Sequence, residues 1–226
     1  MNMANTTASP DGKEPADYAG LIDIGDRIRE QLTVKNAARD AALAQSRTLI
    51  RHCALTIRAI HREEFDQARA LLAQARATAA DLRASVAEHP DLYYAGYTQD
   101  GLKEFVEANV VLALVAGAPT PTPEALNVEP ATYLKGLAEA ATELRRRVLD
   151  LMRRDEMDEA ERLLEAMDEV YNLLVTIDFP DAITGGLRRN TDVVRGVNQR
   201  TRGDLTTSLR QQRLLEALQR VEQPGK

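Results

Sequence analysis

The chain has 226 residues, of which 44% are hydrophobic and only 4% aromatic, so it can form one domain with a large core. A net charge of −6 argues against a protein that is basic over its whole surface, and a single Cys excludes an internal disulfide. No Cys/His spacing suits zinc, and the three histidines, His52, His61 and His89, form no i,i+4 ligand pair. Without a signal-like start or an apolar run of about 20 residues, we expect a cytoplasmic protein that does not enter a membrane.

The abundance of Ala, Leu, Arg, Glu and Gln, without strand-like alternation, predicts an all-α protein. Residues 1–20 are polar and carry Pro10, Gly12 and Pro15, which predicts a disordered tail before one helical domain over 21–226. Gly and Pro are absent between Gly25 and Pro90, so we expect long helices there.

Two related strings mark predicted helical hairpin turns. They are REEFDQARALL at 62–72 and RDEMDEAERLL at 154–164, and in each the Asp precedes an amphipathic run. Asp66 and Asp158 are therefore expected to be N-caps or first-turn acids of new helices. A continuous helix through either string is the alternative.

The first predicted hairpin carries two arginine stripes. One lies within an arc of about 60° on a helical wheel and consists of Arg47, Arg51, Arg58 and Arg62, and the other repeats every seven residues at Arg69, Arg76 and Arg83. A third group lies in the basic stretch 185–220 and includes Arg188, Arg189 and Arg195. Such arginines commonly form a solvated face, and the functional alternative is a surface that follows nucleic-acid phosphates.

The segment from Gly101 to Gly117, GLKEFVEANVVLALVAG, combines an almost wholly apolar helix with two acidic residues. Glu104 and Glu107 lie one turn apart on a face that becomes apolar further along the helix. Two neighbouring carboxylates repel each other unless a cation lies between them. A metal site and a salt bridge to a neighbouring helix are the two explanations.

A second acidic pair occurs on the amphipathic helix predicted for 131–153. Glu139 and Glu143 lie at i,i+4 on the side opposite its apolar residues, and taken alone they suit a solvated face. An acidic helix follows, with eight acids against one base between Asp155 and Glu169. In the last helical stretch, 187–222, Gly196 and Gly203 weaken the helix and mark either a close crossing or a break near Gly203-Asp204.

The order of three strings resembles the translin family. They are GLKEFVEA, then YLKGLAEAATELRR, and finally LLEAMDEVYNLLVTIDFPD with GLRRNTDVVRGVNQRTRGDL, and together they cover about residues 25 to 220. The likeness is closer to the translin-associated factor X branch, because the glutamate pair is present. Glu104 and Glu107 match its E-[FY]-V-E motif, and Glu139 and Glu143 match G-x-A-[DE]-x-x-x-E, with Glu139 where that branch has Asp.

The resemblance implies a single-domain bundle of about seven helices that assembles into a hollow homo-octamer and binds single-stranded RNA and DNA on its inner surface. It also implies an endoribonuclease dependent on Mg²⁺, or alternatively Mn²⁺, in which Glu104, Glu107, Glu139 and Glu143 are catalytic and hold the metal. Oxygen ligands suit Mg²⁺, and a spare glutamate, Glu107 or Glu143, could act as base.

Two further hypotheses remain open. One is a non-catalytic octamer that binds single-stranded nucleic acid and needs only the arginines. The other is an interaction protein whose acidic helix at 155–169 binds partners and whose arginines only keep it soluble.

Overall fold

The computed structural model describes residues 19–222, and all regular structure in that range is helical. Six helices are long: α1 (Ala19–His61), α2 (Phe65–Ser85), α4 (Gly96–Val115), α6 (Pro130–Met152), α7 (Met157–Val175) and α9 (Leu187–Glu222). Three helices of four residues connect them: α3 (Pro90–Tyr93), α5 (Pro123–Leu126) and α8 (Asp181–Thr184). The all-α prediction is confirmed; of the predicted tail, residues 1–18 lie outside the described range.

Helix α4 is the centre of the bundle. It packs against α1 and α2 on one side and against α6 on another, while α6 also contacts α7 and α9. Every residue from Phe105 to Val111 is buried, including Glu107 and Asn109. This central position explains why the sequence of α4 is apolar on nearly all faces, since such a helix has no face left for bulk solvent.

The two predicted hairpin turns have the same backbone geometry. Glu63 and Asp155 have φ of 62° and 60°, a left-handed conformation that commonly ends a helix. In the first turn the N–H of Glu64 donates to the carbonyl of Ala59 at 2.9 Å, and in the second the N–H of Glu156 donates to that of Leu151 at 3.1 Å. Asp66 and Asp158 are first-turn acids of α2 and α7, in accordance with one of the two predicted roles.

Neither a break nor a close crossing is present at Gly203. Helix α9 is continuous through both Gly196 and Gly203, and a Cβ atom at Gly203 would meet no atom within 4 Å. Buried Val197, Thr201 and Leu205 hold this part of α9 on the bundle. Packing therefore outweighs the roughly 1 kcal/mol that each glycine costs a helix interior.

Within the described range, no helix combines the length and the apolar character that a bilayer crossing requires.

Gly136 sets the distance between α4 and α6. A Cβ atom at this position would lie 2.6 Å from Cβ of Val106 and 2.7 Å from the carbonyl oxygen of Lys103. The second of these atoms belongs to the α4 backbone, which cannot move aside without shifting the whole helix. Only glycine therefore permits the observed approach of the two helices.

We predict that Gly136→Ala lowers the free energy of unfolding by about 1–3 kcal/mol, because the added methyl group overfills the α4–α6 contact. Urea unfolding followed by far-UV circular dichroism measures the change. The matched control is Gly203→Ala on α9, where an added Cβ meets no atom within 4 Å and should be neutral or stabilising by up to about 1 kcal/mol. Equal effects of the two substitutions would contradict the tight crossing.

Candidate metal centre

Helices α4 and α6 run parallel, so their glutamates meet side by side. The hydroxyl of Thr132 donates to the side-chain carbonyl of Gln99, and one to two turns further along both helices Lys103 Nζ donates to Glu139 Oε1 at 2.7 Å. The close crossing at Gly136 lies between these two contacts in the sequence of α6. Glu139 is therefore carried to the level of Glu104 and Glu107 on α4.

Three carboxylates converge at this crossing. One oxygen from each of Glu104, Glu107 and Glu139 lies within 4.8 Å of the other two. Glu107 is buried, with 9% of its surface exposed, whereas the side chains of Glu104 and Glu139 are 26% and 34% exposed. The cluster thus has a buried inner ligand and an edge that solvent or a substrate can reach.

The three acids have one close cationic partner among the described residues, Lys103. Its ammonium lies 2.7 Å from Glu139 Oε1 and 3.4 Å from Glu104 Oε1. Burial alone would lower the pKa of Lys103, but its hydrogen bond to Glu139 and the charges of Glu139 and Glu104 more than offset this, so its pKa is raised. Lys103 is therefore charged, and a single positive charge faces three carboxylates.

The excess of negative over positive charge in the cluster affects the pKa of Glu107. Its pKa is raised to about 8, first because the side chain is buried, and then because Glu104, Glu139 and Glu143 are close and negatively charged. Burial raises the pKa of the Cys53 thiol on α1, and the negative charges of Glu104 and Glu107 raise it further. The region between α1, α4 and α6 therefore has a negative potential that would be relieved by a cation.

Glu143, the fourth predicted ligand, is placed differently. It lies one turn after Glu139 on α6, but its Oε1 is 2.6 Å from Nε2 of His61, at the end of α1, and its oxygens are not among the three that converge. The four predicted residues therefore divide into two groups. Three form the cluster, and the fourth lies beside it in a pair with a histidine.

The residues fit a hard divalent cation. All three converging groups offer carboxylate oxygens, the ligands that Mg²⁺ and Mn²⁺ prefer, and no nitrogen or sulfur ligand competes within the cluster. Three carboxylates also suit Mg²⁺ because this ion usually retains several water molecules. The alternative, a salt bridge from Glu104 or Glu107 to a neighbouring helix, is not formed within the described range. Lys103, on α4 itself, pairs with Glu104 and with Glu139 of α6, and Glu107 has no cationic partner there.

Nine of the ten predicted arginines are exposed and Arg83 is half-buried, and their surroundings differ. Arg62 is bound through Nε and Nη2 to Glu64, Arg195 is paired with Asp192 at 2.9 Å, and Arg188 lies 3.6 Å from Asp178. Among the described side chains, no ion pair is formed by the other members of the α1 stripe, Arg47, Arg51 and Arg58. In the second stripe, Arg69 pairs with Asp66 at 2.8 Å.

Arg189 is the arginine associated with the acidic cluster. It lines a cavity of about 150 Å³ between α6 and α9 together with Glu139, Thr142 and Asn190. Arg189 therefore shares a cavity with Glu139, which belongs to the solvent-accessible edge of the cluster.

Two residues next to the acidic cluster, Lys103 and His61, were not predicted from the sequence. Lys103 directly precedes Glu104 in GLKEF, which was a signal that could have been used, since a charged residue on a largely buried helix needs a partner. His61 gave no comparable signal, because its partner Glu143 is 82 positions away and no local spacing relates the two.

Comparison with known proteins gives the following relatives. An uncharacterised protein of Methanocaldococcus jannaschii is 32% identical over 193 residues, which cover 84% of this chain and 85% of the relative. The crystal structure of AfC3PO and that of its complex with duplex RNA are each 32% identical and cover 81% of this chain and 95% of theirs, with TM-scores of 0.75 and 0.76. The crystal structure of apo-NeC3PO, at 18% identity, covers 87% of this chain and 100% of its own with a TM-score of 0.70, and shows the same fold. No protein-family model matches the chain.

We predict that the metal-free protein loses stability relative to Glu107→Gln as pH rises from about 4.5 to about 8. Glu107 has a raised pKa in the folded state, so the folded protein binds more protons than the unfolded chain across this window, and stability falls as the pH increases. The difference should be small near pH 4.5 and grow to roughly 2–5 kcal/mol above pH 8. Urea unfolding in EDTA at a series of pH values measures it.

The control for this experiment is Glu165→Gln, at an exposed position on α7, which should show no such trend. Added Mg²⁺ should raise the free energy of unfolding of the wild-type protein at high pH, but not that of the Glu107→Gln variant. A difference between wild type and Glu107→Gln that is constant with pH would contradict the buried, uncompensated carboxylate.

Proposed function

The chain belongs to the translin family, and from that premise we propose that it binds single-stranded RNA and cleaves it as a Mg²⁺-dependent endoribonuclease. The observation that carries the proposal is the cluster of Glu104, Glu107 and Glu139 opposite a single lysine. Nucleic-acid binding is supported by AfC3PO, which is 32% identical and whose structure contains duplex RNA. The presence of both glutamate pairs favours the factor X branch.

In this proposal Glu104, Glu107 and Glu139 hold the metal ion. A Mg²⁺ or Mn²⁺ ion bound there would offset negative charge on the phosphate in the transition state and favour ionisation of water. Glu107 supplies the inner, buried carboxylate, while Glu104 and Glu139 lie at the accessible edge. The charge of Lys103 remains at that edge, where it can attract a phosphate group.

Glu143 is the proposed base. Its side chain is 31% exposed, and its charge contributes to the raised pKa of Glu107, so it lies close to the cluster without being one of its three converging members. In the hydrolysis, the oxygen of a water molecule bonds to phosphorus while Glu143 takes one of its protons. The bond between phosphorus and one ribose oxygen breaks, and that oxygen receives a proton from solvent.

The arginines supply sequence-independent affinity for phosphates. Arg47, Arg51 and Arg58 form an exposed row on α1 without acidic partners among the described residues, and Arg189 lies beside Glu139. Guanidinium groups bind phosphate oxygens and also stack on bases, which suits single strands. Arg62, Arg188 and Arg195 have acidic neighbours, so we assign them weaker contributions.

We also propose a homo-oligomer, with eight copies as the number implied by the family. Support comes from the first part of α1, where Leu21, Ile22 and Leu32 are 60–67% exposed. An exposed apolar row of this kind commonly marks a protein–protein contact, here with another copy of the chain.

We predict that Glu104→Gln/Glu107→Gln abolishes Mg²⁺-dependent cleavage of labelled single-stranded RNA, because two of three metal-binding carboxylates become amides. RNA affinity in EDTA should stay within about threefold of wild type or improve slightly, since negative charge is removed near the RNA. Gel analysis of the RNA with Mg²⁺, Mn²⁺ or EDTA reads cleavage, and light scattering of the same samples reads the mass of the assembly.

Glu165→Gln is the matched control and should cleave like wild type. Cleavage that persists in the double variant would remove the metal centre from the mechanism. Binding with no cleavage by the wild-type protein in either metal would instead identify a non-catalytic binding octamer. Duplex RNA of the same sequence, tested in parallel, decides whether single strands are the preferred substrate.

We predict that Arg189→Gln weakens RNA binding by roughly three- to tenfold at moderate salt and reduces the slope of log affinity against log salt by about one. The reason is the loss of one phosphate contact beside the cluster. Fluorescence anisotropy over a salt series measures both quantities. Arg213→Gln, an exposed position on the last part of α9, is the control, and an equal loss there would argue against a specific role for Arg189.

A further inference from the structure

His61 is a buried polar residue at the last position of α1. Its side chain is 2% exposed, its Nε2 lies 2.6 Å from Glu143 Oε1, and its Nδ1 is buried without a hydrogen-bond partner among the described residues. A carboxylate can only accept hydrogen bonds, so Nε2 carries a hydrogen and donates a hydrogen bond to Glu143 Oε1. The imidazole is thereby fixed in the tautomer that binds the glutamate.

The contact holds one oxygen of Glu143 and leaves the other available. Within the described range, no hydrogen bond or ion pair engages Oε2, and the side chain is about one-third exposed. A glutamate on a helix surface normally samples several rotamers, since its side chain has three rotatable bonds. The bond from His61 restricts Glu143 to one arrangement, beside the three-carboxylate cluster.

His61 itself is held in place by the turn that follows it. The Glu63 carboxylate, in the left-handed turn position, accepts a hydrogen bond from Arg147 at 2.7 Å and forms an ion pair with Arg154. Arg147 is only 7% exposed and lies one turn after Glu143 on α6. Two polar contacts therefore fix the end of α1 on consecutive turns of α6, and both depend on the short turn after His61.

We propose that His61 is a positioning residue for the cleavage reaction. It orients Glu143 through the Nε2–Oε1 hydrogen bond, so that Glu143 Oε2 is the atom that takes the proton from the attacking water. The inference rests on the proposed nuclease function. A residue that only stabilised the bundle could as well be apolar, because a buried polar pair seldom improves stability over well-packed apolar groups.

The experiment compares two amides at position 61. Glutamine places its amide nitrogen near the position of Nε2 and asparagine near that of Nδ1, so only His61→Gln keeps a donor within reach of Glu143. We expect His61→Asn to lower kcat for single-stranded RNA by roughly 10- to 100-fold. KM and Mn²⁺ affinity, the latter measured by electron paramagnetic resonance, should stay within about twofold. His61→Gln should retain most of the wild-type kcat.

A double-mutant cycle tests whether His61 acts through Glu143. If it does, His61→Asn/Glu143→Gln is no slower than Glu143→Gln alone, because the histidine then has no base to orient. Losses that multiply, or a His61→Asn variant with wild-type kcat, overturn the proposal while leaving the nuclease intact. If wild type itself does not cleave RNA in Mg²⁺ or Mn²⁺, the nuclease proposal fails instead.

A spectroscopic measurement keeps the contact testable without catalysis or a folded His61→Asn variant. The chain has three histidines, so ¹⁵N-histidine labelling gives a simple spectrum, which His61→Gln assigns by the loss of one ring. We expect His61 in its Nε2–H form and a change of its Nε2 shift in Glu143→Gln, with His52 and His89 unchanged. A shift that does not respond to Glu143→Gln overturns the proposal.

Discussion

The close contact between α4 and α6 is the constraint on which the rest of the molecule depends. Gly136 allows the two backbones to approach so closely that Val106 and the Lys103 carbonyl of α4 leave no room for a Cβ atom at this position of α6. Because the helices are parallel, this approach brings Glu139 next to Glu104 and Glu107. The acidic cluster is thus produced by backbone packing in the core rather than by a flexible loop, which gives it a fixed geometry.

The acidic cluster lowers the stability of the folded protein, which indicates that it has a function other than stabilising the fold. Lys103 compensates part of the charge, but Glu107 remains buried among like charges and its pKa rises to about 8. An apolar residue in its place would remove this repulsion. Groups with strongly perturbed pKa values that reduce stability are concentrated at functional sites, so the arrangement is more readily explained by a cation that binds there than by a role in folding.

Much of this could be predicted from sequence because the signals were local. The helical class, the burial of α4 and the turn strings at 62–72 and 154–164 each depend on neighbouring residues, and the two glutamate pairs were recognised by spacing. Their arrangement could not be predicted in the same way. Whether Glu143 joins the cluster or binds His61 depends on the rotation of α6 against α1, which is set by packing over the whole bundle. A break, one of the two alternatives for Gly203, is absent for the same reason, since the tertiary contacts of α9 outweigh local helix propensity.

The two similar hairpin turns determine how the end of α1 lies against α6. The first turn carries Glu63 and the second carries Asp155, in the same backbone conformation, and Arg154 from the second turn binds Glu63 of the first. The end of α1 is therefore fixed against the α6–α7 corner, and with it His61 against Glu143. Since Glu139 lies one turn away on the same helix, the position of Glu143 relative to the three-carboxylate cluster is determined at two places. One is the Gly136 crossing, and the other is the contact between the turns, so a change at either should be transmitted to the geometry of the site.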